Sequence, residues 1–290
     1  MKAVERGILS PHDYKRPSTR FLIAAVSIVV LAMVLSMLYP IAVTFLNSFK
    51  TTADVNTFPP KLLPREWIWT NYDEGWNFLK LPLFLRNSVY IFAGNLVVSV
   101  LVLGGAAFAL SKLNLPYRKL IFFFFLTTLF IPPSTYIVPN FVNLKDLGLM
   151  NSFFALWLPA GANAFNLLLL KSFFDDINNE LFEASRIDGA SNWYGFTRIA
   201  LPLALPIIST LAIFIFSGAW NDWFWPSLIM HGDSHYPMPT AIYKQVIQAR
   251  GIKLNVKFAI LSMVALPPMV IFLVFQRFIL RGLHLGGVKG

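Results

Sequence analysis

The chain contains no cysteine, which excludes disulfides, thiolate-ligated metals and thiol catalysis together. Charge is also scarce: 13% of the 290 residues are Asp, Glu, Lys or Arg, against 56% hydrophobic side chains. A soluble globule needs a largely polar surface, and this composition cannot supply one. The glycine-rich loop with its lysine that cradles nucleotide phosphates is missing, so this polypeptide does not hydrolyse ATP itself. Histidine is rare as well. His231 and His235 are spaced four apart, but Gly232 and Asp233 between them oppose the helix that a two-histidine metal face requires, and a third ligand is lacking.

What the chain has in abundance is long apolar runs. Six are near the roughly 20 residues that cross a hydrocarbon core. They run from about Phe21 to Phe45, Ser88 to Leu110, Leu120 to Pro139, Ser152 to Leu170, Leu203 to Trp220 and Phe258 to Phe275. The expected fold is all-α, a polytopic membrane protein with six transmembrane helices. The first run has no small-residue cleavage pattern after it, which makes it a retained span and not a signal peptide. No span has Lys, Arg, Asp or Glu in its interior. An ion-coupled secondary transporter or channel ordinarily places ionisable groups there, so that alternative is disfavoured. A membrane-embedded enzyme would need a constellation of acid, base or metal ligands, and none is apparent.

The net charge of +10 comes from short basic patches beside the spans, a distribution that suits orientation in a bilayer and not nucleic-acid binding. Lys2, Arg6, Lys15, Arg16 and Arg20 precede the first span, and Lys112, Arg118 and Lys119 follow the second. Both segments are expected on the cytoplasmic side, with both termini. Lys244, Arg250, Lys253 and Lys257, in a loop assigned outside, weaken the bias. Trp67, Trp69, Tyr72 and Trp76 in the first outer segment suit the headgroup level or a docked partner. Pro40, Pro132, Pro133, Pro206, Pro267 and Pro268 fall within or at the edges of spans and are expected to kink them.

Between the fourth and fifth spans lies a polar, patterned stretch. Asn178 or Asn179 can cap a short helix beginning near Glu180, with Glu180 and Glu183 at its positive end. Gly189 permits a sharp reversal, and Ser191 can cap a second helix. Trp193, Phe196, Ile199 and Ala200 recur at helical spacing and are expected to face the span ends. The first helix offers small residues, Ala184, Ser185 and Ala190, beside the acceptors Glu183 and Asp188, a combination that suits a docking knob. The plainer reading is an interfacial helix pair lying on the membrane, which the shortage of large apolar residues beyond Leu181, Phe182 and Ile187 disfavours.

These residues resemble a known family. The pattern E-A-A-x-x-D-G, nine residues, then I-x-L-P is the signature loop of integral membrane subunits of ATP-binding-cassette importers. Here it reads Glu183, Ala184, Ser185, Asp188 and Gly189, then Ile199 and Leu201-Pro202. Ser185 replaces the usual second alanine, and Asn178 stands where many members have proline. Within that superfamily the chain is similar to the carbohydrate-uptake permeases of the maltose-transport type, through Trp220-Asn221-Asp222-Trp223, Trp225-Pro226, Gln276-Arg277, Arg281-Gly282 and the tail Gly286 to Gly290.

The resemblance implies a permease domain over residues 21–280, including a coupling hairpin at 178–202, between cytoplasmic tails at 1–20 and 281–290. It implies a bacterial or archaeal cell membrane, an inner membrane in a Gram-negative cell. The expected partners are two ATPase subunits carrying ATP and Mg, a second permease subunit, expected to be a different chain, and an extracytoplasmic solute-binding protein. No cofactor is expected on this chain. The coupling residues expected to meet the ATPase are Glu183, Ala184, Ser185, Asp188, Gly189 and Ala190, with Asp188 also stabilising the turn and the tail Gly286 to Gly290 reaching the same interface. For the pathway of a sugar or oligosaccharide, Asn163, Asn166 and Asn221, with Asn95, offer amide donors and acceptors near membrane depth, and Tyr136 and Trp220 offer stacking surfaces. Interhelical hydrogen bonding is the simpler role for each amide.

Overall fold

The computed structural model describes residues 16–285, with side chains described to residue 273. Among the described residues the secondary structure is entirely helical. Three unbroken helices are long and apolar enough to cross a membrane: α1 (Pro17–Asn47), α2 (Leu81–Lys112) and the final helix, which runs Leu254–Leu285. Three bent pairs bring the number of spans to six when each pair is taken as one crossing. They are α3 (Arg118–Phe130) with α4 (Pro133–Asp146), α5 (Phe154–Ala160) with α6 (Ala164–Asp176), and α8 (Asn192–Leu203) with α9 (Leu205–Asn221), bent by 98°, 47° and 76°. The short helix α7 (Glu180–Ile187) lies between the last two pairs.

The breaks follow local chemistry. Pro132 and Pro133 lack amide donors and force extended backbone at Ile131, so the third span turns abruptly instead of crossing straight. Between α8 and α9 the helix stops at Ala204, and Pro206 occupies the first turn of the new segment, where its missing donor costs nothing. Pro40, Pro267 and Pro268, expected to kink their spans, lie inside α1 and the final helix, which continue through them as helices. Around Pro40 the polar hydroxyls turn inward along the helix, with Thr44 Oγ1 donating to the Pro40 carbonyl at 2.8 Å.

The chain separates into two compact units. One comprises residues 16–75 with Lys253–Met263; the other comprises Trp76–Ile252 with the chain from Val264. In the first unit, no residue of α1 is buried, the character of a helix covered by lipid or another subunit. Its polar end is fixed by Phe49, whose buried ring lies 4.7–5.2 Å from the rings of Phe45, Trp67, Trp69 and Tyr72. Trp67 and Trp69 thus have one edge in a cluster and the other exposed.

Asn71 is the polar keystone of this unit. It is buried, its Nδ2 donates to the carbonyls of Ser48 and Lys50 at 2.8 and 2.9 Å, and its Oδ1 accepts from Asn255 Nδ2 at 2.8 Å. Thr52 Oγ1 in turn donates to Asn255 Oδ1 at 2.9 Å, so the start of the final helix is pinned to the outer segment.

The second unit is built on α2. It packs against α5, α6 and α9, with Trp157 Nε1 donating to the Tyr90 carbonyl at 3.1 Å and Ser99 Oγ to the Ala160 carbonyl at 3.2 Å. A Cβ at Gly94 would overlap the Trp157 indole, so only glycine permits this approach. At the same end as Leu81, Asn87 Nδ2 donates to the carbonyls of Ser234 and Tyr236, and Met238 N donates to Ser88 Oγ. These bonds seat the loop after α9 on the start of α2.

Asn71→Ala strands two buried carbonyls and one amide of Asn255. We expect a loss of roughly 2–4 kcal/mol of stability, read as a lowered Tm of the purified protein in detergent. An unchanged Tm would show that these groups rehydrate freely.

Candidate functional site: the polar hairpin

The first hairpin helix is set by its ends. Asn178 Oδ1 accepts from the amide of Glu180 at 3.0 Å, while the side chain of Asn179, itself already helical, makes no cap bond. Of the two expected caps, Asn178 therefore fills the role. At the other end the Gly189 amide donates to Arg186 O at 3.0 Å and the Ala190 amide to Ser185 O at 2.9 Å, a paired closure of the helix carbonyls. Gly189 has φ +82, a left-handed conformation that side chains resist. The reversal is closed by backbone alone. Asp188, expected to stabilise the turn, is left as an exposed acceptor like Glu183, and neither carboxylate has a hydrogen bond or ion pair among the described residues.

Ser191 behaves as expected, its Oγ accepting from the Tyr194 amide at 3.2 Å. The helix that follows differs from its expected regular form. Over Gly195–Ala200 it widens into a π-helical stretch, and this shifts the inward face to Gly195, Phe196, Ile199 and Ala200. Trp193, expected on that face, is 66% exposed and only its edge meets the Phe196 ring, at 5.6 Å. The extra residue per turn moved it outward.

An aromatic clasp holds both hairpin helices to the spans. Phe108 of α2 lies 5.6 Å from Phe182 of α7, 5.6 Å from Phe196 of α8 and 6.4 Å from Phe174 of α6. All four rings are buried. Gly104 and Gly195 border the clasp, where an added Cβ would stand in ordinary contact with Phe196 on the first and with Phe108 and Phe182 on the second. α2 carries its own π-helical stretch, Ser99–Leu103, just before Gly104. Polar ties reinforce the clasp: Lys112 Nζ donates to the Ile177 carbonyl and to Asn179 Oδ1, at 2.6 and 2.8 Å, and Arg186 donates to the Lys112 carbonyl at 3.0 Å.

The result is a rigid base with a bare tip. Glu183, Ala184, Asp188 and Gly189 are exposed, Ser185 and Ala190 are half-buried, and Ile187 stands 86% exposed among them. All six coupling candidates are therefore gathered on one short surface. Sequence reasoning missed Phe108, Phe174, Lys112 and Arg186, which hold that surface in place. Phe182 carried a faint signal as an aromatic in an otherwise polar helix.

The pathway candidates are not gathered in this way. Asn163 Oδ1 accepts from the Asn166 amide at 2.9 Å and so caps α6, while Asn166 is buried beside it. Asn221 Nδ2 donates to the Ser217 carbonyl of its own helix at 2.8 Å, and Trp220 stacks on Phe216 with centroids 5.2 Å apart. Tyr136 lies exposed in the turn after the Pro132-Pro133 break. Asn95 Oδ1 is buried without a hydrogen-bond partner. Asp222, just beyond α9, accepts from the Trp225 amide at 3.0 Å, and burial raises its pKa above the ordinary carboxylate range against the opposing pull of the Trp225 and Phe224 amides. The expected C-terminal contact at Gly286 to Gly290 lies outside the described residues.

Residues 101–284 match the family described as binding-protein-dependent transport system inner membrane component. The sn-glycerol-3-phosphate transport system permease protein UgpE of Yersinia pestis is 32% identical over 262 residues, 86% of this chain and 92% of that protein. The diacetylchitobiose uptake system permease protein NgcG of Streptomyces coelicolor is 30% identical over 241 residues, 82% and 80% of the two chains. A chain of a bacterial ABC transporter involved in the import of the acidic polysaccharide alginate has the same fold, with TM-score 0.83 at 24% identity over 90% of this chain and 98% of that one.

Phe182→Ala removes the only ring that α7 sends into the clasp. We expect a loss of roughly 3–5 kcal/mol locally, seen as faster hydrogen exchange across residues 180–200 with α2 still protected. Unchanged exchange would mean that the polar ties suffice. For Asp222, the raised pKa means that folding favours the protonated form, so stability falls as pH rises from the ordinary carboxylate value near 4 up through the folded value, and the deficit persists above it. Asp222→Asn should abolish that slope in Tm measured against pH; a slope identical to the parent's would assign it to other groups.

Proposed function

The chain belongs to the binding-protein-dependent transport system inner membrane components, and from that premise we propose that it forms one half of the translocation pathway of an importer for a sugar or oligosaccharide. Energy comes from ATP bound with Mg on two partner ATPase subunits. A second permease, a different chain, completes the pathway, and an extracytoplasmic binding protein delivers the cargo. The carbohydrate class is supported by the diacetylchitobiose relative, and a phosphorylated polyol is the nearby variant that the glycerol-3-phosphate relative represents.

The observation that carries this reading is the hairpin's construction. Two exposed carboxylates, Glu183 and Asp188, stand on a surface of small residues whose foundation is an aromatic core shared with α2 and α6. A facing ATPase cleft gains charge-assisted hydrogen bonds from those carboxylates and close backbone approach at Ala184 and Gly189. Closure of the ATPase dimer then displaces the hairpin. Because Phe182 and Phe196 are packed on Phe108, the displacement passes to α2 as rigid-body motion and is not dissipated in a loop. The hairpin and both termini face the cytoplasm in this arrangement, consistent with Arg16 and Arg20 before the first span.

Cargo passes between the two permeases near Tyr136 and Asn221, which are exposed, and the half-buried Trp220, which together offer aromatic surface and an amide to a hydroxyl-rich ligand. Asn163 and Asn166, at the bend where α6 begins, are the further amides assigned to this pathway.

The test is association with the ATPase. Glu183→Lys reverses one contact charge, and Gly189→Pro destroys both the left-handed turn and its amide donor. Each should weaken co-purification of the ATPase by about tenfold or more while leaving membrane insertion intact. Full ATPase recovery with both variants would contradict the docking role. In proteoliposomes, uptake that persists with a hydrolysis-deficient ATPase but collapses with the ion gradient would instead support the secondary-transporter reading.

A further inference from the structure

At the root of the hairpin, between the end of α2, the start of α3 and the end of α6, lies a cavity of about 410 Å³ lined by Ser111, Lys112, Arg118, Lys119, Lys171 and Asp175, with Phe122 and Asn179. With Asp176 acting on Lys112 from beside the cavity, four cationic side chains of the lining face a single lining carboxylate. That carboxylate is already committed, since Asp175 accepts from Ser111 Oγ at 2.7 Å and from Lys171 Nζ at 2.6 Å. Lys112 is held by the Ile177 carbonyl and Asn179. Lys171 also lies over the Phe122 ring, 4.7 Å from its centroid. Arg118 and Lys119 have no hydrogen bond or ion pair among the described residues.

Two cations held by fixed partners and two exposed, unpaired ones, Arg118 and Lys119, make the cavity electropositive, a setting that attracts an anion. The backbone adds to it. α3 begins with Arg118 and Lys119, and its cap residue Tyr117, in left-handed conformation, supplies no side-chain acceptor, so the first amides of α3 lack capping. A multivalent oxyanion satisfies the guanidinium, the ammonium and these amides together. Immediately along α3 come Leu120, Phe123 and Phe124, all exposed. Because α3 opens a membrane crossing, this cationic cavity lies at headgroup depth, and these apolar side chains, on the other face of the same helix, mark where the hydrocarbon begins.

We infer that this cavity binds a phosphate group, and that its source is the headgroup of an anionic lipid in the leaflet on the hairpin side, where α3 enters the bilayer. Assigning that leaflet to the cytoplasm rests on the orientation proposed above. Asn179 lines the cavity and directly precedes α7, and Lys112 holds both the cavity wall and the hairpin base. Occupancy therefore bears on how firmly the coupling hairpin is seated.

The experiment uses the full-length chain in its assembled transporter. Native mass spectrometry after exchange into phosphatidylglycerol or phosphatidylcholine reads retained lipid for the parent, for Arg118→Gln with Lys119→Gln, and for a matched removal of two charges at the opposite end of α2, Lys80→Gln with Arg86→Gln. The parent and the matched control should retain phosphatidylglycerol, and the cavity variant should lose it by about tenfold. A second arm measures thermal protection by millimolar inorganic phosphate in phosphatidylcholine. Protection lost in the cavity variant would assign the same site to a soluble phosphate. Equal phosphatidylglycerol retention by all three proteins, with no phosphate protection, overturns the inference. ATPase co-purification is scored in parallel: its absence from the parent would refute the docking reading without touching the lipid result.

Discussion

Everything distinctive in the second unit depends on the packing of Phe108 against Phe182, Phe196 and Phe174. An eight-residue helix such as α7 has no independent stability in water, because nucleation costs more than so few hydrogen bonds return. Its order comes from one buried ring and from the ties of Lys112 and Arg186 to backbone carbonyls. Aromatic contacts of this kind contribute about 0.5–1.5 kcal/mol each beyond the area they bury, enough to make the hairpin move with the spans and not apart from them. Two π-helical stretches flank the clasp, one on α2 and one on α8, where three helices approach one ring.

That mechanical unity answers a deficiency in the membrane region. No span has a charged interior, so neither a proton nor an ion gradient has groups there to act on. Work has to arrive from outside the bundle, and the hairpin is where a rigid connection and open hydrogen-bond acceptors coincide. The sharp bends at Pro132-Pro133 and at Ala204 divide two of the crossings into segments that can be displaced separately. The cationic cavity at the hairpin's root sets the proposed lipid contact beside the same helices.

How much of this was legible in the sequence depended on the range of the interaction. The six apolar runs, the arrest of α7 at Gly189 and the Ser191 cap were readable because each is set by composition or by residues within a few positions. The break in the third span was announced by Pro132 and Pro133, but its 98° size was not, because the angle is set by what the two halves pack against. Pro40 and Pro267 show the converse: a proline inside a span ends it only where the neighbours fail to accommodate it, and here both helices continue. Trp193 was assigned to the inner face on a regular period, and a π-helical stretch, which has no simple local signature, rotated it away. The clasp itself was hidden, since Phe108 and Phe182 are 74 positions apart and nothing in a chain this rich in phenylalanine singles them out.

Because the chain has no cysteine, a single Ala184→Cys substitution places a unique thiol on the exposed hairpin tip without disturbing the clasp. The direct measurement is thiol cross-linking to the ATPase in sealed inverted vesicles, together with labelling by a membrane-impermeant reagent in both vesicle orientations. The account predicts a cross-link to the ATPase, and labelling only where the cytoplasmic face is outward and only before the ATPase is bound. Labelling from the opposite face, or unhindered labelling in the assembled transporter, would contradict it.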